Sequence, residues 1–405
     1  MTEFWASQLR AIPKGVWALG FVSMLMDISS EMIHALLPIY MVTVLGTSVL
    51  TVGIIEGIAE ATAAIVKVFS GALSDWLGRR KGLAVLGYGL AAFTKPVFPL
   101  ASGISWLIAA RFIDRIGKGI RGAPRDALVA DLAPPEVRGA SFGLRQSLDT
   151  IGAFIGPLLA ILLMLATENS FVTVFWIAII PAFLSFFLIV LAVREPERTI
   201  VPRQVKSPLS PAELLRLGRE YWWVVAIATM FTLARFSEAF LILRSQSVGL
   251  PIALVPAVMV VMNVAYSLSA YPAGVLSDRM DRHTILIAGL VLLILADVIL
   301  GYSNGVLGVA VGVVFWGLHM GLTQGLLATL VADTVPVELR GTAYGMFNLV
   351  TGLALLAASV IAGGLWDAIG PKGTFLAGAG FSALALIGLL MLRRPKATTS
   401  QADGR

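Results

Sequence analysis

The chain has 405 residues, 58% of them hydrophobic and 13% charged, with a mean hydropathy of +0.87 and a formal net charge of +6. Soluble proteins carry about 25% charged residues, so the composition excludes a soluble globular domain and points to an all-α polytopic membrane protein. The lack of cysteine excludes disulfides, cysteine-attached haem and thiolate metal sites.

The first stretch, Met1 to Lys14, reads as interfacial, with Phe4 and Trp5 and no signal-peptide cleavage pattern. Apolar spans of roughly 20 residues are predicted over 16–45, 49–70, 82–101, 104–130, 140–166 and 171–193. On the first span Asp27, Glu31 and His34 fall at i, i+4 and i+7, hence on one helix face. The second places Glu56, Glu60 and Lys67 on one face in the same way. Buried carboxylates of this kind can load and release a proton, which makes Glu31, then Asp27, His34, Glu56 and Glu60, the candidate proton-coupling set.

The fourth span carries Arg111, Arg115, Lys118 and Arg125 along one face, flanked by Asp114 and Arg121. A charge at the bilayer centre costs on the order of 3 kcal/mol on insertion scales. The stripe must therefore line protein or a water-filled cavity. Arg145 and Asp149 pair at i, i+4 on the fifth span, facing that stripe.

A polar linker, 194–221, follows, in which Ser210-Pro-Ala-Glu213 reads as the capped start of a short surface helix with Leu214, Leu215 and Leu217 on the membrane. Six more spans are predicted over 222–248, 252–273, 284–303, 306–332, 341–364 and 374–392, before a tail at 394–405. Arg235 and Glu238 pair at i, i+3 on the seventh, with Arg244 beyond. Otherwise this half is bland: Asn263, Tyr266, Asp297, His319 and Gln324 are isolated polar residues, and Trp316, Phe347 and Asn348 are candidates for lining a cavity. Basic residues gather in alternate loops, and opposite loops hold little beyond Glu168, Asp367 and Lys372. The positive-inside rule then puts both termini and the linker in the cytoplasm and explains the net charge without nucleic acid.

The halves repeat. Gly71-Ala-Leu-Ser-Asp75 recurs as Gly274-Val-Leu-Ser-Asp278, and Leu128-Val-Ala-Asp131 as Leu330-Val-Ala-Asp333. Pro134-x-Glu136-x-Arg138-Gly139 likewise recurs at Pro336 to Gly341. The repeat suggests a cytoplasmic latch pairing Arg79 with Asp131 and Arg282 with Asp333. Parallel six-helix repeats suit a carrier that rocks about a central site.

At these residues the chain resembles the major facilitator superfamily, close to its bacterial proton-coupled antiporter branch of drug and metabolite exporters. Gly71-x-Leu-Ser-Asp75-x-x-Gly78-Arg79-Arg80-Lys81 matches the family's signature loop. Arg111 takes the position of the fourth-helix arginine, although the residues after it are more charged than the usual pattern. Gly152-Ala-Phe-Ile-Gly156-Pro157 resembles the antiporter motif, with Leu159-Ala160-Ile161 where a trailing glycine pair is usual.

The resemblance implies twelve transmembrane helices in two pseudo-symmetric six-helix bundles, 1–193 and 222–393, in a bacterial inner membrane. It implies a monomeric secondary active transporter without cofactor or metal. The expected activity is export of a small organic solute, anionic from the excess of membrane arginines, in exchange for protons. Proton-coupled uptake of an organic acid or siderophore-like compound, and export of lipophilic cations, are the alternatives. No metal-binding histidine pair, Gly-x-Ser-x-Gly or phosphate-binding Gly-Lys-Ser/Thr loop is present to suggest an enzyme.

Overall fold

The computed structural model describes residues 11–77, 80–195, 214–277, 280–336 and 339–391. Gly78, Arg79, Asp278, the predicted linker helix and the side chains of Asp75 and Asp333 lie outside the described residues. The described chain is helical without strands, as its continuous apolar runs require in a medium where every backbone polar group must bond internally.

The first predicted span is two helices, α1 (Lys14–His34) and α2 (Leu37–Thr43). Pro38, in the first turn of α2, lacks the N–H that would continue α1. Then come α3 (Val49–Leu77), α4 (Arg80–Thr94) and α5 (Val97–Leu100), the last two parted at Pro96. The half closes with α6 (Ile104–Leu132), α7 (Arg138–Ala166) and α8 (Phe171–Ala192). The seventh span also breaks, into α9 (Arg219–Ala234) and α10 (Ala239–Ser247). No proline causes this break. The freed N–H of Ser237 donates to Ser359 Oγ at 3.3 Å, so a neighbouring helix satisfies the opened backbone. The rest are α11 (Ala257–Ser277), α12 (Arg282–Tyr302), α13 (Val306–Asp333), α14 (Arg340–Ile369) and α15 (Pro371–Met391).

Among the described residues eleven helical stretches are long and apolar enough to cross a membrane. The α6 helix equals its neighbours in length and drops out of that set through its charges alone. With α6 the protein is a multi-pass membrane protein of twelve spans.

Packing repeats between the halves. The α6 helix packs on α3 and α4 as α13 packs on α11 and α12, and α1 packs on α7 and α8 as α9 packs on α14 and α15. Gly87 lies against Gly117 and Arg121, and Gly289 against His319 and Thr323, a constant shift of 202 residues (289 − 87 = 319 − 117 = 323 − 121). The halves meet along two seams, α3 with α14 and α7 with α11.

One face of the molecule holds the starts of α1, α4, α7, α9, α12 and α14, each opening on or near a basic residue. We call this the basic face and the other the far face. Toward the far face a single apolar core runs through both halves, from Met32 and Tyr40 to Phe240, Val258 and Ala362. Toward the basic face the cores are separate: one around Leu19, Tyr88 and Val129, the others around Tyr221 and Leu290. The far end is also tied across the halves by Asp367 of α14. Its carboxylate accepts from the N–H of Val49 at 3.1 Å and of Leu50 at 2.9 Å, capping α3 where the helix dipole favours an anion. The two halves are therefore joined at the far face and parted at the basic face among the described residues. Leu217, expected on the membrane surface, is instead buried against Tyr221 and Val225.

Candidate functional site

The parted halves enclose a cavity of about 460 Å³, continued toward the far face by a second of about 240 Å³. Glu31, Glu60, Lys118, Arg235 and Leu355 line both.

The wall from the amino-terminal half is an ion-pair lattice. Glu56, wholly buried, accepts from Arg111 Nη2 at 2.6 Å, and His34 stands 3.5 Å from both Glu56 and Glu31. Arg115 meets Glu60 at 3.0 Å, and Asp114 meets Lys95 at 2.9 Å. Nearer the basic face Arg145 holds Asp149 at 2.5 Å, and Arg125 donates to Asp126 at 3.1 Å and Ser23 at 3.0 Å. Arg121 lies over the Tyr88 ring, 5.0 Å from its centroid. Charges at this depth persist because partners and hydrogen bonds replace water. The anticipated stripe on α6 thus divides: Arg111 turns into the bundle, Arg115 lines the inner cavity while paired with Glu60, and Lys118 and Arg125 line the outer cavity.

Sequence reasoning missed Lys95, which is 1% exposed and bonds both Asp114 and Ser30. A lone lysine inside an apolar span was the available signal. Asp27 and Glu31 are set in place by the glycines of the antiporter-like motif. A Cβ on Gly152 would lie 2.6 Å from Met24 O and 3.0 Å from Asp27 Cβ. One on Gly156 would lie 2.7 Å from Glu31 Cβ. These glycines let α7 press on α1 beside the two acids, with Pro157 buried next to them.

Arg235 and Glu238, expected as a helical ion pair, fall in the break between α9 and α10 and do not approach within ion-pair distance. Both instead face the cavity. Among the described residues Lys67, Lys118, Arg121 and Arg235 line it without an ion pair, as do Asp27 and Glu238. Asn348 and Gln324 also line it. Trp316 does not: it is wholly buried and packs on Phe236, 5.4 Å between ring centroids. Phe347 packs in the basic-face core around Tyr221. His319 is buried, its Nδ1 2.8 Å from Gly289 O.

Of the anticipated latch, Asp131 accepts from Arg80 Nη1 at 2.6 Å, a contact within one half from the neighbour of the expected Arg79. Gly71 faces Ala123 at ordinary contact distance. Arg282 opens α12, and the side chain of its expected partner, Asp333, lies outside the described residues.

A family model described as Major Facilitator Superfamily matches residues 19–262 and 236–405. An MFS-type transporter of Methanocaldococcus jannaschii is 35% identical over 405 residues, 95% of either chain. The inner membrane transport protein YajR of Escherichia coli is 25% identical over 96% of this chain and 85% of its own. The multidrug resistance protein MdtH of Yersinia pestis is 26% identical over 89% and 88%. Among solved structures, a point mutant of the nucleoside transporter NupG superposes with a TM-score of 0.80 at 13% identity, covering 93% of this chain and 98% of that one.

Proposed function

The chain belongs to the major facilitator superfamily, and from that premise we propose that it carries a small organic anion across the cytoplasmic membrane by alternating access, coupled to protons. The reading rests on one observation: unpaired charges from both halves face one cavity, Lys67, Lys118, Arg121 and Asp27 from the first and Arg235 and Glu238 from the second. A solute bridging Lys118 and Arg235 would touch both halves at once, as a carrier that rocks about its site requires. Free cations outnumber free carboxylates, which favours an anion, and guanidinium suits carboxylate or phosphate. The alternation of basic loops supports a cytoplasmic basic face, so that this state opens inward.

The sign of the electrostatics bears on coupling. Protonating Asp27 removes a negative charge from the wall and strengthens anion binding, so proton and anion travel together. The antiport alternative rests on the resemblance of Gly152-Ala-Phe-Ile-Gly156-Pro157 to the antiporter motif, and it suits a cationic solute that competes with the proton.

Liposomes holding the protein and an internal pH dye separate the two. Organic anions added outside are expected to acidify the lumen, and Asp27→Asn to abolish the response. Alkalinisation on adding lipophilic cations would replace symport by antiport. Acidification undiminished in both Asp27→Asn and Glu31→Gln would refute the assignment of the coupling acids.

A further inference from the structure

Asp297 lies in the half that the cavity lattice does not reach. It is wholly buried on α12, and neither carboxylate oxygen has a hydrogen-bond partner. The indole Nε1 of Trp316 on α13 and the hydroxyl of Ser382 on α15 are buried and unpartnered too. A buried carboxylate with neither oxygen bonded costs free energy unless it is neutral or bonds in some state of the protein.

The internal repeat explains the place. Shifted by 202 residues, the spacing fixed by the Gly87 and Gly289 contacts, Lys95 becomes Asp297 and Asp114 becomes Trp316 (297 − 95 = 316 − 114). In the first half this position is a closed ion pair, Lys95 to Asp114 at 2.9 Å. In the second half the acid stands at the lysine's position on α12, and the position of the first-half acid, on α13, is Trp316, a neutral N–H donor in place of a charge. A cation would fix the acid as a permanent ion. An indole N–H supports the ion only in part and tolerates the neutral acid, which is the environment of a group that gains and loses a proton.

Access also has a structural basis. Gly378 of α15 lies over the acid, where a Cβ would be 2.7 Å from Asp297 Oδ2 and 3.0 Å from the Phe236 ring. Phe236 sits in the break of the seventh span and lines the inner cavity. Phe236, on the segment of that span free of helical bonding, thus stands beside Asp297 and at the cavity wall. The charged and titratable groups on the surrounding elements are otherwise engaged. Arg244 of α10, buried one turn along α12, donates to Leu300 O at 2.8 Å, to Ser247 Oγ and to Ser303 O. His319 on α13 bonds Gly289, two turns along α12; Arg235 and Glu238 face the cavity; Arg282, His283 and Lys372 sit at helix ends.

We propose that Asp297 is a proton-binding site of the carboxy-terminal half, flanked by Phe236 and able to give up its proton when the indole N–H of Trp316 turns to the carboxylate. It rests on the proposed function only in linking this proton to transport. Infrared difference spectroscopy on the full chain in liposomes, with protons and deuterons as the only probes, tests the site without knowledge of the solute. The wild type is expected to show the carbonyl band of a protonated carboxylic acid that Asp297→Asn lacks. Transfer to heavy water shifts that band, and Phe236→Ala is expected to speed the shift. A spectrum of Asp297→Asn identical to that of the wild type would overturn the proposal, as would a band that never exchanges in either the wild type or Phe236→Ala. If Asp297→Asn fails to fold, the exchange rates of the other two proteins still decide. A wild type with the band but without anion-driven proton flux would count against the proposed coupling and leave the site standing.

Discussion

Arg111→Leu is expected to destabilise the folded protein by about 3–5 kcal/mol, the usual cost of leaving a buried charge without its partner. Glu56 has no exposed surface, and its short bond to Arg111 is its main compensation: Oε1 has no partner and His34 stands 3.5 Å off. The loss follows from the stranded carboxylate more than from the missing bond. The double variant Arg111→Leu with Glu56→Leu should therefore recover most of the stability, a large coupling in a mutant cycle. Thermal unfolding of the purified protein in detergent reads both. Equal losses in the single and double variants would show that the ion pair is not what holds α3 to α6.

Gly53→Ala is expected to open the far face. The seam between α3 and α14 is closest there, with a Cβ on Gly53 lying 2.3 Å from Ser359 O and one on Gly57 lying 3.0 Å from Leu356 Cα. The obstacle is backbone, which cannot rotate aside, so the helices must part. Overpacking of this kind costs about 1–3 kcal/mol, a shift of about 5- to 150-fold in the ratio of closed to open far face. Asp367, whose cap on α3 spans the same seam, would be drawn off its two N–H donors. The chain has no cysteine, so spin labels introduced at exposed Ser102 and Asn304 report the far-face separation without background. Gly143→Ala, where nothing lies within 4 Å, is the control. An unchanged distance distribution in Gly53→Ala would mean that the seam is not the seal.

Fold and repeat were legible because they rest on apolar length and duplicated loops, which local sequence carries. The helix-face spacings of Glu56, Glu60, Arg111 and Arg115 were enough to forecast a buried lattice, since charges at that depth have few places to go. Partners were less legible. Lys95 and Asp114 come from different helices, and which acid meets which cation depends on how α4 and α6 pack. The break at Arg235–Glu238 had no proline to announce it: it is held by Ser359, on a helix more than a hundred residues away. Trp316 reads as pore lining from its place on the tenth span, yet its ring packs on Phe236, a contact set by the same break.

The central claim is alternation of access about one charged cavity. Its most direct test is a pair of distance measurements by electron spin resonance in the reconstituted wild type, across the far face at Ser102 and Asn304 and across the basic face at Glu136 and Met280. Two populations moving in opposition as pH is varied are expected, one closed at the far face and open at the basic face, as in this structure, and one reversed. Distances that stay single-valued on both faces, or that widen together, would contradict it.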